Sequence, residues 1–164
     1  MFTFRARLAL FTLLVAFAVP ASGAALAKTG TTHSYGSTIQ TVMLSSGDGY
    51  PNPGGRVVLA GTWVTNTFGT GALVDHTTIT GHPASNVFTF KGTEIDYLRG
   101  GSLHATFTGR STVLANGDQE IATSGRFIRG TGRYAGATGR FAFSGTVSSG
   151  SSTLNGHSMG AITY

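Results

Sequence analysis

The chain of 164 residues contains no cysteine. Without thiols it forms no disulfide bond, no cysteine-ligated metal site and no thioether-linked lipid anchor of the bacterial lipoprotein type. It also contains no N-x-S/T sequon, so the usual acceptor for N-glycosylation is missing. A chain of this length therefore has to be held together by its apolar core, which it is long enough to build.

Charged residues are also scarce, with eleven Lys and Arg against six Asp and Glu. No acidic residue follows Glu120, whereas Arg126, Arg129, Arg133 and Arg140 do. This weakly basic part would suit an anionic ligand or a charged cell wall, and it would equally suit arginines that only face water. We expect no nucleic-acid partner, because nucleic-acid binders concentrate far more basic charge than this chain carries.

Long apolar runs are missing except near the start of the chain, at residues 8–19. Arg5 and Arg7 precede this run, and the A-x-A-like segment 25–27 follows it, as in a secretory signal peptide. The run is too short to span a bilayer comfortably, which takes ~20 residues. We predict that residues 1–27 are a signal peptide cleaved near Ala27. The mature protein, residues 28–164, is then expected to be a single secreted or periplasmic domain without a membrane anchor.

The remaining sequence indicates an all-β protein. Threonine, valine and aromatic residues alternate with other side chains, glycine recurs every few residues, and no apolar stripe of helical period appears. Strands are predicted near residues 38–44, 56–66, 72–80, 86–91, 95–98, 102–114, 119–128, 140–147 and 155–163. Eight or nine short strands favour a single antiparallel β-barrel of about eight strands, with a β-sandwich as the alternative.

The segment 102–128 predicts a hairpin and its register. A three-residue loop at 116–118 would pair Val113 with Ile121 and Phe107 with Phe127, matching apolar side chains across the two strands. The apolar face would then carry Leu103, Ala105, Phe107, Val113, Ile121 and Phe127. The polar face would carry His104, Arg110, Glu120 and Arg126. Glycines such as Gly109, Gly125 and Gly145 would relieve crowding inside a strongly bent sheet.

A glycine-rich segment at 130–135 matches the pattern G-x-G-x-x-G/A of dinucleotide-binding loops. That site requires a helix after the turn and an acidic residue about 20 positions later. Here Phe141 and Phe143 alternate as in a strand, and no acidic residue follows. We therefore reject a dinucleotide site and expect no cofactor.

The same segment resembles the signature turn of the dirigent and allene oxide cyclase-like barrel superfamily, which has the forms GGTGxFRxAxG and GGSGxFxGxxG. The corresponding positions here are Gly130, Thr131, Gly132, Tyr134, Gly136, Ala137 and Gly139. Arg129 replaces the first glycine, and Ala135 stands where the dirigent turn has arginine. The resemblance implies an eight-stranded antiparallel barrel with a largely apolar cavity, often in a homotrimer, in a secreted relative of bacterial type. Because the motif is structural, it leaves activity open.

Glu94, Asp96 and Tyr97 form the densest group of ionisable residues and are the candidate catalytic residues. On a strand Glu94 and Asp96 share one face, while Tyr97 points to the other. Two carboxylates in a desolvated cavity would serve proton chemistry, whereas a pair beside a turn would simply face water. Asp75 and His76 are adjacent, so their side chains should point to opposite faces and form a poor dyad.

Other chemistries lack a signal in the sequence. The five histidines show no H-x-H spacing, so we expect no metal site, and no G-x-S-x-G motif indicates a hydrolase. The leading hypothesis is a barrel that binds a small hydrophobic molecule, with or without steering its cyclisation or isomerisation. The competing hypothesis is a non-catalytic secreted structural or cell-surface interaction protein whose barrel is filled by side chains.

Overall fold

A computed structural model describes residues 30–47 and 49–164, so the predicted signal peptide lies outside the described residues. The fold is a closed antiparallel β-barrel of eight strands, in which each strand pairs with its sequence neighbours and β8 pairs with β1. The strands are β1 (Thr32–Ser46), β2 (Arg56–Thr65), β3 (Gly69–Ala84), β4 (Val87–Leu98), β5 (Gly101–Val113), β6 (Gln119–Gly130), β7 (Thr138–Val147) and β8 (Thr153–Thr163). The barrel prediction is therefore confirmed, and the sandwich alternative is wrong.

Strand β4 differs from the prediction, which divided it into two strands. The sequence predicts two strands, 86–91 and 95–98, because glycine and polar residues lie between them. In the structure Val87–Leu98 is one strand, and Gly92 and Thr93 keep their pairing with both β3 and β5. Backbone pairing on both sides holds this stretch extended despite its weak local preference for a strand.

The β5–β6 hairpin shows a register that differs from the predicted one by two residues. Phe107 lies opposite Gly125, and Val113 lies opposite Gln119. The loop is residues 115–117, closed by a 2.8 Å hydrogen bond from the Leu114 amide to the Asp118 carbonyl. A shift of two residues keeps every side chain on its face, so apolar matching alone could not detect the error. The predicted inner and outer faces of these strands are accordingly found.

Inward glycines determine the packing of the phenylalanines. A Cβ on any of three such glycines would overlap the phenylalanine ring that faces it from the neighbouring strand. These pairs are Phe107 with Gly92, Phe90 with Gly109, and Phe141 with Gly125. Each ring thus occupies the space of a missing side chain and lies against the barrel wall. The centre of the barrel is left open as a result.

Aromatic side chains close one end of the barrel, and we call this group the aromatic floor. Its members are His33, Tyr35, Trp63, Phe68, Tyr134 and Tyr164. The ring centroids of Tyr35 and Trp63 are 5.5 Å apart, and those of Tyr134 and Tyr164 are 5.1 Å apart. Trp63 and Tyr134 are almost completely buried. At this end the interior is therefore sealed from solvent.

The glycine-rich segment forms the β6–β7 connection next to the aromatic floor. It contains a short 3-10 helix, Gly132–Tyr134, and leads directly into strand β7. Gly132 has φ +57°, and a Cβ there would overlap the carbonyl oxygen of Gly100. The Arg133 amide donates a 2.9 Å hydrogen bond to that same carbonyl. The turn thus fastens to the β4–β5 connection and places Tyr134 in the floor.

Replacing Gly132 by alanine should strongly reduce the free energy of unfolding. The alanine must adopt a left-handed conformation and also displace the Gly100 carbonyl, at a combined cost of roughly 3 kcal/mol in the free energy of unfolding. Gly136→Ala is the matched control, because its φ of +83° is similar but nothing lies within 4 Å of the added Cβ. We expect it to cost about 1 kcal/mol. Urea unfolding of both variants measures the difference, and equal losses would contradict this role of the turn.

A candidate functional site inside the barrel

The barrel contains a cavity of about 280 Å³ that opens toward the end opposite the aromatic floor. Tyr50, Ser151 and Ser152, from the β1–β2 and β7–β8 connections, border it at that end. Its wall is mainly apolar, and the rings in it are Tyr35, Trp63, Phe90, Phe107, Phe141 and Phe143. Ligand pockets commonly measure ~300–1,000 Å³, so this cavity suits a small molecule.

Three carboxyl groups lie together in one patch of the inner wall, and we call them the carboxyl cluster. Asp75 on β3 pairs directly with Glu94 on β4, and both side chains line the cavity. Asp96 follows on the same face of β4 and is 0 % exposed. Its partners on the neighbouring strands are Leu73 and Leu103, both buried, so its surroundings are apolar.

The carboxyl cluster has no cationic partner among the residues that the structure describes. Every described lysine and arginine is exposed on the outside of the barrel. No N–H group or hydroxyl of the described residues donates a hydrogen bond to either carboxyl oxygen of Asp96 or to Oδ1 of Asp75, so only a protonated carboxyl group could do so, and the buried hydroxyl of Thr41 also has no partner there. Burying an ionised carboxylate in this way is costly, so the cluster should hold protons instead.

Burial raises the pKa values of all three carboxyl groups, as expected for acids removed from water. It raises the pKa of Asp96 to about 8, where a hydrogen bond with Glu94 opposes the rise and the charge of Asp75 adds to it. Burial and then the negative charge of Asp96 raise the pKa of Glu94 well above its usual range. Burial and then the charge of Glu94 do the same to the pKa of Asp75. At neutral pH the three carboxyl groups should therefore still hold protons that they share among them.

The structure separates the three candidate catalytic residues. Glu94 and Asp96 lie together on the inner wall, so the interpretation in which this pair faces water is wrong. Tyr97 is 52 % exposed on the outer surface, because strand alternation turns it away from its neighbours. The grouping of Tyr97 with the two carboxyl groups is therefore corrected: it cannot act with them on a molecule in the cavity.

Asp75 is the member of the cluster that sequence reasoning missed. Considering it only beside His76 hid its relation to β4. The signal was its position in the strand, since Asp75 alternates in step with Leu73 and Ile79, both buried inside the barrel. Its pairing with Glu94 depends on the β3–β4 register, which contains two irregularities near the turn.

The histidines do not join the carboxyl cluster. His33 belongs to the aromatic floor, where it stacks on Tyr164 at 4.8 Å between ring centroids. Within residues 30–47 and 49–164, no group of three or more His, Asp or Glu side chains is arranged to hold a metal ion. The described part of the chain also contains no helix long and apolar enough to cross a membrane.

Comparison with protein families, curated proteins and solved structures identifies no match to this chain. The cavity and the carboxyl cluster are therefore the basis for inferring function.

The carboxyl cluster should make the protein less stable as the pH rises. Since the folded-state pKa values are raised, the folded protein retains protons that the unfolded chain loses above about pH 4. For Asp96 this advantage is lost as the pH passes through about 8. Asp96→Asn should therefore raise the free energy of unfolding at pH 8.5 by about 2–4 kcal/mol and change it far less at pH 4.

Urea unfolding followed by Trp63 fluorescence at several pH values measures this effect. Glu120→Gln is the control, because Glu120 is an exposed acid on the outer face of β6. An Asp96→Asn variant with the same pH dependence as the wild-type protein would show that Asp96 is not buried as described.

Proposed function

We propose that the protein is a secreted barrel that binds one small, largely apolar molecule in its cavity. The observation that carries this proposal is a mainly apolar cavity with two carboxyl groups, Asp75 and Glu94, paired in its wall and a third, Asp96, buried next to them. Ligand sites usually combine an apolar wall with a few convergent polar groups of this kind. The apolar rings would contact the body of the ligand, and the carboxyl cluster would contact its polar group.

The energetic cost of the carboxyl cluster supports a functional role for it. Buried ionisable groups without partners reduce stability, and apolar residues of similar size at these positions would pack without that cost. Perturbed carboxyl groups that border a cavity are therefore candidates for function. The cavity itself argues against the competing hypothesis of a filled barrel.

Membership of the dirigent and allene oxide cyclase-like superfamily remains part of this proposal. The closed eight-stranded barrel and its partly apolar cavity agree with what the resemblance of the turn at Gly130–Gly139 implies. Secretion follows from the predicted signal peptide, and the homotrimer follows from the resemblance alone.

Filling the cavity should abolish binding. Thr123 lines the cavity from β6, and Thr123→Phe would place a ring in the space that a ligand needs. Ser124→Phe is the matched control, because the next residue of the same strand is exposed on the outside. Native mass spectrometry of protein purified from its export route, without denaturant, should find a retained small molecule in the wild type and the control.

In the same experiment Thr123→Phe should be recovered empty, with at least a tenfold loss in occupancy. Circular dichroism would establish that the variant is folded. Empty wild-type protein in repeated preparations, or equal occupancy in Thr123→Phe, would contradict the proposed function.

Proton transfer to the bound molecule is a second candidate function, and the shared protons of the cluster favour it. Glu94 lines the cavity and would donate a proton to the ligand. The Glu94 carboxylate formed in that step would then accept a different proton from the ligand, which completes an isomerisation with no net change in the composition of the ligand or the protonation of the cluster. In D₂O the retained molecule should then gain deuterium on carbon in wild-type protein but not in Glu94→Gln. Equal labelling of the two would exclude Glu94 as the donor.

A further inference from the structure

We propose that the molecule held in the barrel is a small organic cation, an ammonium group carried on an aromatic or aliphatic body. This inference rests on the proposed function and specifies the class of its ligand. It follows from three features of the interior: the distribution of charge, the unpartnered acceptors in the cavity wall, and the aromatic side chains that face them.

Charges are divided sharply between the two sides of the barrel wall. The carboxyl cluster lies inside, whereas all eight lysines and arginines of the described residues are exposed. An anionic ligand would enter a space with three acids and no cation. A wholly apolar ligand would supply no hydrogen-bond or ionic partner to the cluster.

The polar atoms without partners are acceptors that suit an ammonium group. An ammonium group has three donors and no acceptor. Oδ1 of Asp75 and the hydroxyl oxygen of Thr41 are buried without partners in residues that line the cavity. The Thr41 side chain is 1 % exposed and forms part of the β1 wall, independently of the acids on β3 and β4. Asp96 adds negative charge behind Glu94 once the cluster loses a proton.

Aromatic side chains in the cavity wall also favour an organic cation. Tyr35 and Trp63 line the same cavity, with the ring of one against the edge of the other. Tyr35, Trp63 and Glu94 line one cavity, so the rings and the acids face a common space; burial raises the pKa of Tyr35, and the negative charges of Glu94 and Asp96 add to this rise. Aromatic faces attract organic ammonium groups, and apolar walls favour the attached hydrocarbon.

Binding of an ammonium group should release protons from the carboxyl cluster. The titratable groups that line this space are Asp75 from β3, Glu94 from β4, Tyr35 from β1 and, at the open end, Tyr50; Asp96 is buried next to Glu94. The inner faces of β2 and β5 contribute no ionisable side chain beside them. A nearby cation lowers the pKa of a carboxyl group, so the affinity for an amine should rise between pH 5 and pH 8.

Two probes of nearly the same shape test the proposal. These are 1-naphthylmethylamine, which is cationic at pH 7.5, and 1-naphthalenemethanol, which is neutral. Isothermal titration calorimetry in buffer with EDTA should show the amine binding at least tenfold more tightly than the alcohol. Repeating the titration in buffers with different ionisation enthalpies should detect proton release with the amine only.

Variants of the cavity acids test whether the carboxyl cluster causes the preference for the amine over the alcohol. Asp75→Asn should lower the affinity for the amine at least tenfold and leave that for the alcohol within about twofold. Glu120→Gln, which removes an acid from the outer surface, should change neither affinity. Glu94→Gln is the second cavity variant and should act like Asp75→Asn, so the test does not depend on the folding of one protein.

The outcomes separate the ligand class from the proposed function. Equal affinities for the two probes would overturn the cationic ligand while leaving binding in the barrel intact. An amine preference that survives both cavity variants would overturn it as well. If neither probe binds, the cationic ligand is wrong, and an empty wild-type protein in the retained-ligand experiment would then also reject the proposed function.

Discussion

The pairing of the first strand with the last is the constraint on which the rest of the structure depends. β1 and β8 pair along their length, from Thr32 opposite Thr163 to Val42 opposite Thr153. This pairing closes the sheet, so its edge hydrogen bonds are satisfied without a further chain. Closure also creates a barrel interior, and the alternation of side chains along each strand then determines which of them are buried in it.

The side chains that fill the barrel interior are determined by this alternation and by the positions of glycine. Inward glycines accept the rings of neighbouring phenylalanines, so the rings line the wall and leave a cavity. The aromatic floor closes one end, with Tyr134 positioned by the β6–β7 turn. The glycine-rich segment that resembles a nucleotide-binding loop thus builds the closed end of the cavity. Alternation also places the carboxyl cluster inside and the basic residues outside, which gives the cavity its chemical character.

The sequence was sufficient for the architecture and for most of the inward and outward assignments. The barrel class and the shared face of Glu94 and Asp96 depend on local alternation, which a sequence displays directly. The β5–β6 register could not be obtained in that way, because registers two residues apart bury the same side chains. The observed register places Gly125 opposite Phe107, and the ring of Phe141 occupies the space beside this glycine; such a fit exists only in three dimensions.

Only part of the carboxyl cluster could be predicted from the sequence, because the pairing between strands cannot be obtained from alternation within one strand. Glu94 and Asp96 are two residues apart, so their common face follows from one strand. Asp75 is distant in sequence and reaches Glu94 only through the irregular β3–β4 pairing. Tyr97, adjacent to Asp96 in the sequence, lies on the opposite side of the wall. Proximity along the chain was therefore a poor guide to the members of the site. The alternation of side chains between the two faces of each strand would have been a better guide.

The central claim is that three carboxyl groups are buried together and retain protons at neutral pH. Carboxyl-carbon NMR titration tests it most directly, because the chain has only six acidic residues to assign. Asp96 should titrate near pH 8, and Asp75 and Glu94 should titrate well above the usual range for carboxyl groups. Titration of all three near pH 4, the ordinary value for Asp and Glu, would contradict the account.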